Sequence, residues 1–169
     1  MISFRKSQVS LCPLLLATFL ATAACDLAET NSVPSDFRLY AHYYPGYSNW
    51  EPWALTITPD GKAVQETYSF PDGKEQTNSV SFKLTKEDLQ ELVTKVHEAR
   101  FFKLAKDYSY EVTDNDTLVL RVTMNKKSHE VSVYASLHLR DNDEVRRFLK
   151  IWNLVLKKVP SPNVKQKED

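Results

Sequence analysis

The sequence predicts an α+β domain: an antiparallel sheet of about six strands, a meander plus a hairpin, with two helices packed on one face. Three observations carry this. Pro59-Asp60-Gly61-Lys62 recurs twelve residues later as Pro71-Asp72-Gly73-Lys74. Apolar residues alternate on either side of these turns and again over 118–135. Two stretches carry apolar stripes at helical spacing behind acidic first turns.

The elements follow in order. Phe37 to Tyr44 is an aromatic-rich first strand, and Pro45 to Pro52 is a loop punctuated by Pro and Gly. Trp53, Leu55 and Ile57 alternate with Ala54, Thr56 and Thr58 as a half-buried strand does. In each Pro-Asp-Gly turn Pro fixes φ and Gly supplies the positive φ that closes a hairpin. Two such turns give strands near 53–58, 62–70 and 75–84. Thr85 is placed to cap a helix whose stripe is Leu89, Leu92, Val93, Val96 and Ala99. Phe101, Phe102 and Leu104 then read as a plug for the core, and Asp107 to Asn115 as a polar loop. Leu118, Leu120, Val122 and Met124 form another strand. After a turn over Asn125 to Ser128, Val131, Val133 and Ala135 return beside it. Asp141 with Glu144 has the spacing of a capping box. The helix behind it has the stripe Val145, Phe148, Leu149, Trp152, Val155, Leu156 and Val159. Pro160 and Pro162 end it, and a Lys/Gln/Glu/Asp tail over 160–169 reads as disordered.

The N-terminus addresses compartment rather than chemistry. Arg5 and Lys6 precede an apolar run from Val9 to Leu20, too short to span a bilayer as a mature helix. Leu20-Ala21-Thr22-Ala23-Ala24-Cys25 then resembles the lipobox of bacterial lipoproteins, with Thr22 where that family usually has Leu. The resemblance implies cleavage before Cys25, a covalent diacylglycerol on Cys25, and a membrane partner through that lipid, with no other cofactor. Lipid chains hold at about 0.8 kcal/mol per buried methylene. An ordinary signal cut after Ala23 or Ala24 is the alternative. Asp26 resembles the signal that keeps some lipoproteins at the periplasmic face of the inner membrane. The expected organisation is a signal peptide over 1–24, a lipidated tether over 25–36, one domain over 37–159 and the tail.

Cleavage would leave 145 residues, with 20 Lys+Arg against 22 Asp+Glu. A near-neutral chain without a basic cluster argues against nucleic acid. Cys12 would leave with the signal and Cys25 is the lipid site, so the domain holds by packing rather than by disulfides. Gly46, Gly61 and Gly73 are the only glycines, which excludes a glycine-rich phosphate loop and a dinucleotide fingerprint. His42, His97, His129 and His138 stand on separate elements, whereas a metal centre needs three or more ligands converging. Asp114-Asn115-Asp116 and Asp141 to Glu144 lack the loop length, Gly and Glu of a calcium hand. These absences lead us to expect no catalytic or metal site.

Tyr40 to Trp53 exceeds background in aromatics. Tyr43, Tyr44, Tyr47, Trp50 and Trp53 are the candidate binding residues, because Tyr and Trp combine rigid apolar area with a polar handle. The same residues also suit a core and a covered sheet edge. The expected function is therefore a membrane-anchored envelope module for binding or interaction, with an envelope protein as one candidate partner and a glycan or small ligand as the other. An envelope enzyme with an unrecognised site and a structural accessory are the alternatives.

Gly46, Pro52, Leu55-Thr56-Ile57 with Asp60-Gly61, Ala99-Arg100-Phe101-Phe102-Lys103-Leu104, Tyr108 and Thr113-Asp114 with the hairpin behind them carry a second resemblance. Over about 37–157 the chain resembles a bacterial family of small secreted domains of unknown function, the group numbered 6438, often found on lipoproteins. Many members have a Cys-x-x-x-Cys-Pro element before the second strand, which is absent here. The resemblance implies the fold and secretion, and no activity.

Overall fold

The structure, a computed structural model, describes residues 32–47 and 50–160. Cys25, the segment before it, the tether up to residue 31 and the tail from 161 lie outside the described residues.

Among the described residues, seven strands and two α-helices follow in the order β1 (Arg38–Tyr44), β2 (Trp53–Ile57), β3 (Lys62–Ser69), β4 (Gln76–Lys83), α1 (Lys86–Glu98), β5 (Asp107–Tyr108), β6 (Thr117–Met124), β7 (Lys127–Tyr134) and α2 (Asp143–Lys158). They form one sheet in the order β4-β3-β2-β1-β6-β7-β5. Every pairing is antiparallel except β5 with β7. The domain is thus α+β with a mostly antiparallel sheet. β1, met first in the chain, lies at its centre between the meander β2-β3-β4 and the hairpin β6-β7.

The pleat sorts side chains onto two faces. Leu39 and Ala41 of β1 lie level with Ile57 and Leu55 on one side and with Val122 and Leu120 on the other. These side chains are buried and share one core with Leu89, Leu92, Val93 and Val96 of α1 and Val145, Phe148, Ile151 and Val155 of α2. The even-numbered residues of β1 project from the opposite face, which the helices leave open. The helices run antiparallel. Lys158 meets Asp88 at one end, and Arg147 donates to the Ala99 carbonyl at the other.

The first Pro-Asp-Gly turn closes as expected. Gly61 has φ +85°, and a Cβ there would lie 2.5 Å from the Leu84 carbonyl oxygen. Thr85 caps α1 in a reciprocal box with Asp88. Phe101 and Leu104 are buried as a plug, with Phe102 half-buried.

Several expectations need correction. The sheet has seven strands, because the polar loop after Leu104 contributes β5. Tyr108 makes this possible: its hydroxyl accepts from Ala105 N–H and donates to Glu144, pinning two residues beside β7. Glu144, so engaged and also paired with Arg147, takes no part in a capping box. Asn142 rather than Asp141 caps α2, accepting from the N–H groups of Glu144 and Val145. The second Pro-Asp-Gly also closes a hairpin, between β3 and β4, but its two central residues are Asp72 and Gly73, both at positive φ (52° and 74°), with Lys74 N–H donating to the Pro71 carbonyl. The hairpin between β6 and β7 turns on Asn125 and Lys126 alone, both at positive φ. In α2, Ile151 is buried and Leu156 is exposed, because the stripe centres on Phe148 and Val155. Val33 and Asp36, expected within a tether over 25–36, engage the domain instead. Val33 packs against the core, and the Asp36 carboxylate accepts from the Asn125 and Lys126 N–H groups. Those bonds hold Asp36 below the usual carboxylate range.

Candidate functional site

The aromatic run lies where β1 ends and β2 begins, and strand alternation divides it. Trp53 points inward and is 4% exposed. Tyr43, half-buried, stacks on it with ring centroids 6.1 Å apart. The ladder continues through Trp152, 5.4 Å from Trp53, to Phe148. Tyr43 and Trp53 therefore belong to the core and its margin. Tyr44, Tyr47 and Trp50 are 47%, 86% and 51% exposed. The structure keeps these three at one end of the sheet.

The loop bearing them is positioned from below. Gly46 has φ +60°, and a Cβ there would lie 2.5 Å from the Asn115 carbonyl oxygen, so the loop rests directly on backbone. The 110–116 segment beneath is fixed in turn by Tyr134, whose hydroxyl donates to the Val112 carbonyl and accepts from Asn115 N–H.

Tyr44 continues into a cluster on the open face that the sequence did not single out. The His42 ring stacks on Tyr44 with centroids 3.8 Å apart, and the Tyr40 hydroxyl lies 3.0 Å from His42 Nδ1. Burial holds the His42 imidazole below its ordinary value, which favours a neutral ring whose Nδ1 can accept a hydrogen bond from the Tyr40 hydroxyl. Arg121 lies 5.5 Å above the Tyr40 ring and pairs with Glu130 on the neighbouring strand. On the other flank Tyr68 donates to Glu66 at 3.0 Å. Burial, with that bond second, pushes the Tyr68 hydroxyl up to about 12. Tyr40, His42 and Tyr44 at alternate positions of one strand were the available signal.

On the helix side of the same end lies a groove lined by Tyr43, Leu118, Leu137, Arg140, Lys150 and Trp152. Arg146 lines it too, paired with Asp143. The end of the sheet thus presents aromatic surface on one side and, on the other, a groove in which Arg140, Arg146 and Lys150 outnumber the one carboxylate, Asp116.

His42 and His129 do not converge. His42 faces outward from β1, while His129, on β7, faces the helices and lies 2.9 Å from the Leu104 carbonyl oxygen. Among the described residues no three His, Cys, Asp or Glu side chains gather in a metal-like group, and no helix is long and apolar enough to cross a membrane. The arrangement offers stacking surface, hydrogen-bond partners and charge on an open platform, which is the chemistry of contact.

No curated protein matches the chain. Residues 52–152 match the family model described as Domain of unknown function (DUF6438). The match runs from the start of the meander into α2, covers more than half of the 169 residues, and begins just after Trp50. With the meander, α1, the hairpin and the first part of α2 inside that match, the chain belongs to the DUF6438 family.

Proposed function

We propose that this protein is a lipid-anchored binding module of the bacterial cell envelope, tethered through Cys25, which engages an envelope protein with the aromatic end of its sheet. The observation that carries the reading is the exposure of Tyr44, Tyr47 and Trp50 together, beside a stacked histidine and away from the core ladder. Large aromatics clustered at a surface are what interface hot spots are made of. The cations of the adjacent groove favour a partner with an acidic rim.

The test is photo-crosslinking in the native cell, with a probe at Tyr47 and a control probe at Lys157. A discrete adduct at Tyr47 alone, lost when Tyr44→Ala is added, is the expected result. No adduct at either position overturns a protein partner. Lipidation is tested separately with Cys25→Ser, which should accumulate as unprocessed precursor; normal processing would exclude it.

A further inference from the structure

The two edges of the sheet are treated differently. β5, two residues long, covers part of β7 and leaves a short edge there. β4 at the other side is eight residues long, and all but Phe82 are exposed. Edge strands are ordinarily guarded by charge, proline or a bulge. Gln76-Thr77-Asn78-Ser79-Val80-Ser81-Phe82 has no charged residue and no proline. Charges flank it with opposite sign, Glu75 before and Lys83 at its end.

The phase of the hydrogen bonds says which groups face outward. Tyr68 N–H donates to the Pro52 carbonyl, so even-numbered residues of β3 bond towards β2. Leu84 N–H donates to the Gly61 carbonyl, in register with the β3–β4 pairing. Antiparallel ladders alternate, so even-numbered residues of β4 bond to β3. The N–H and C=O groups of Glu75, Thr77, Ser79, Ser81 and Lys83 therefore point away from the sheet.

We propose that β4 pairs with β4 of a second copy of this chain, antiparallel about a two-fold axis at Ser79. In that register Ser79 meets its own copy, Thr77 meets Ser81, and Glu75 meets Lys83. All are outward-bonding positions, so the ladder is in phase. Both flanking contacts then join opposite charges, a complementarity that a shift of the axis by one or two residues destroys. Val80, 53% exposed on the helix side, gains its own copy as a diagonal neighbour. The result is a continuous fourteen-stranded sheet with the aromatic ends left free, so the pairing stands whatever those ends bind.

The experiment places a cysteine at Ser79 or at Ser81 in the full-length protein in intact cells under mild oxidant, with the wild-type chain as control for Cys12 and Cys25. Cα atoms of a hydrogen-bonded antiparallel pair lie about 5.5 Å apart, within disulfide reach. Ser79→Cys should give a covalent dimer, with a yield at least tenfold above Ser81→Cys. Equal yields, or no dimer from Ser79→Cys, would overturn the register. Ser79→Pro removes an N–H that β3 does not use, which an edge strand tolerates. It should abolish chemically crosslinked dimer while the circular dichroism spectrum stays unchanged. Lys83→Glu should weaken the dimer, and adding Glu75→Lys should restore it. A photo-probe at Ser79 should yield an adduct of twice the chain mass. An adduct of any other mass would show that an extended segment of a different protein covers this edge, and would overturn the two-fold pairing.

Discussion

Trp53 and Tyr47 stand six positions apart in one aromatic run, and their surroundings assign them opposite work. Trp53 is enclosed between Tyr43 and Trp152. Replacing it with Ala opens a cavity in the core, at a cost of about 3–5 kcal/mol. Tyr47→Ala removes a side chain that is 86% exposed, so its effect should stay within about 0.5 kcal/mol. Urea melts of the two variants measure the contrast directly. A small loss at Trp53 would mean that the ladder does not hold the sheet to α2. Composition identified the aromatic cluster, but only the pleat assigns each ring to a side. The inward run Trp53, Leu55 and Ile57 was legible as alternation, whereas Tyr40, His42 and Tyr44 alternate with Leu39, Ala41 and Tyr43, so β1 reads as apolar and aromatic throughout and periodicity does not separate its two faces. Asp88 carries a second residue-scale expectation. Lys158 and then Thr85 hold its carboxyl down to about 2. A depressed carboxylate contributes stability that is fully present above its unfolded value of 3.8 and is lost as pH falls through the folded value. Acid loss from this site therefore lies between about 4 and 2. An NMR titration should place the Asp88 midpoint near the lower limit, and Lys158→Ala should raise it.

The hairpin joining β6 to β7 turns through two residues, and one of them suits the geometry poorly. Asn125 and Lys126 have φ 52° and 61°. Asn tolerates the left-handed region, but Lys pays the Cβ clash of about 1–2 kcal/mol that Gly avoids. Lys126→Gly should therefore stabilise the domain by up to about 1 kcal/mol after the added unfolded-state freedom of Gly is subtracted. The Lys126 N–H that bonds Asp36 is retained. A lower melting temperature in this variant would show that the turn is not left-handed at both positions. Caps behave alike at this scale. Asn142→Ala should cost about 1 kcal/mol, and Asp141→Ala much less, by thermal melts. Three consecutive residues, Asp141, Asn142 and Asp143, can each cap a helix, so spacing alone could not choose among them. β5 was illegible for a different reason. Its pairing depends on Tyr108 reaching Glu144 on α2, a contact between residues 36 positions apart.

Across the whole molecule, the two ends of the sheet are distinct. Ser32 lies with Pro59, Asp60 and Lys83, at the end of the sheet where Asp36 meets the 125–126 turn and Lys158 of α2 meets Asp88. The aromatic loop lies at the far end of β1, about 20 Å away for seven strand residues. If Cys25 carries lipid, the seven steps of backbone from Cys25 to Ser32 span at most about 25 Å. The bilayer then faces the Lys62 end, and Tyr47 points into the aqueous space. This orientation makes a lipid headgroup of the same membrane a poor match for the aromatic end and a protein partner a good one. The expectation is measurable with a fluorophore on Lys62→Cys or on Tyr47→Cys in lipidated protein reconstituted into vesicles that contain a quencher-bearing lipid. Quenching should be several-fold stronger at position 62 than at position 47. Equal quenching would mean that the sheet lies along the membrane. Tyr44, Tyr47 and Trp50 would then be insertion groups, and the binding reading would give way to a membrane-seating one.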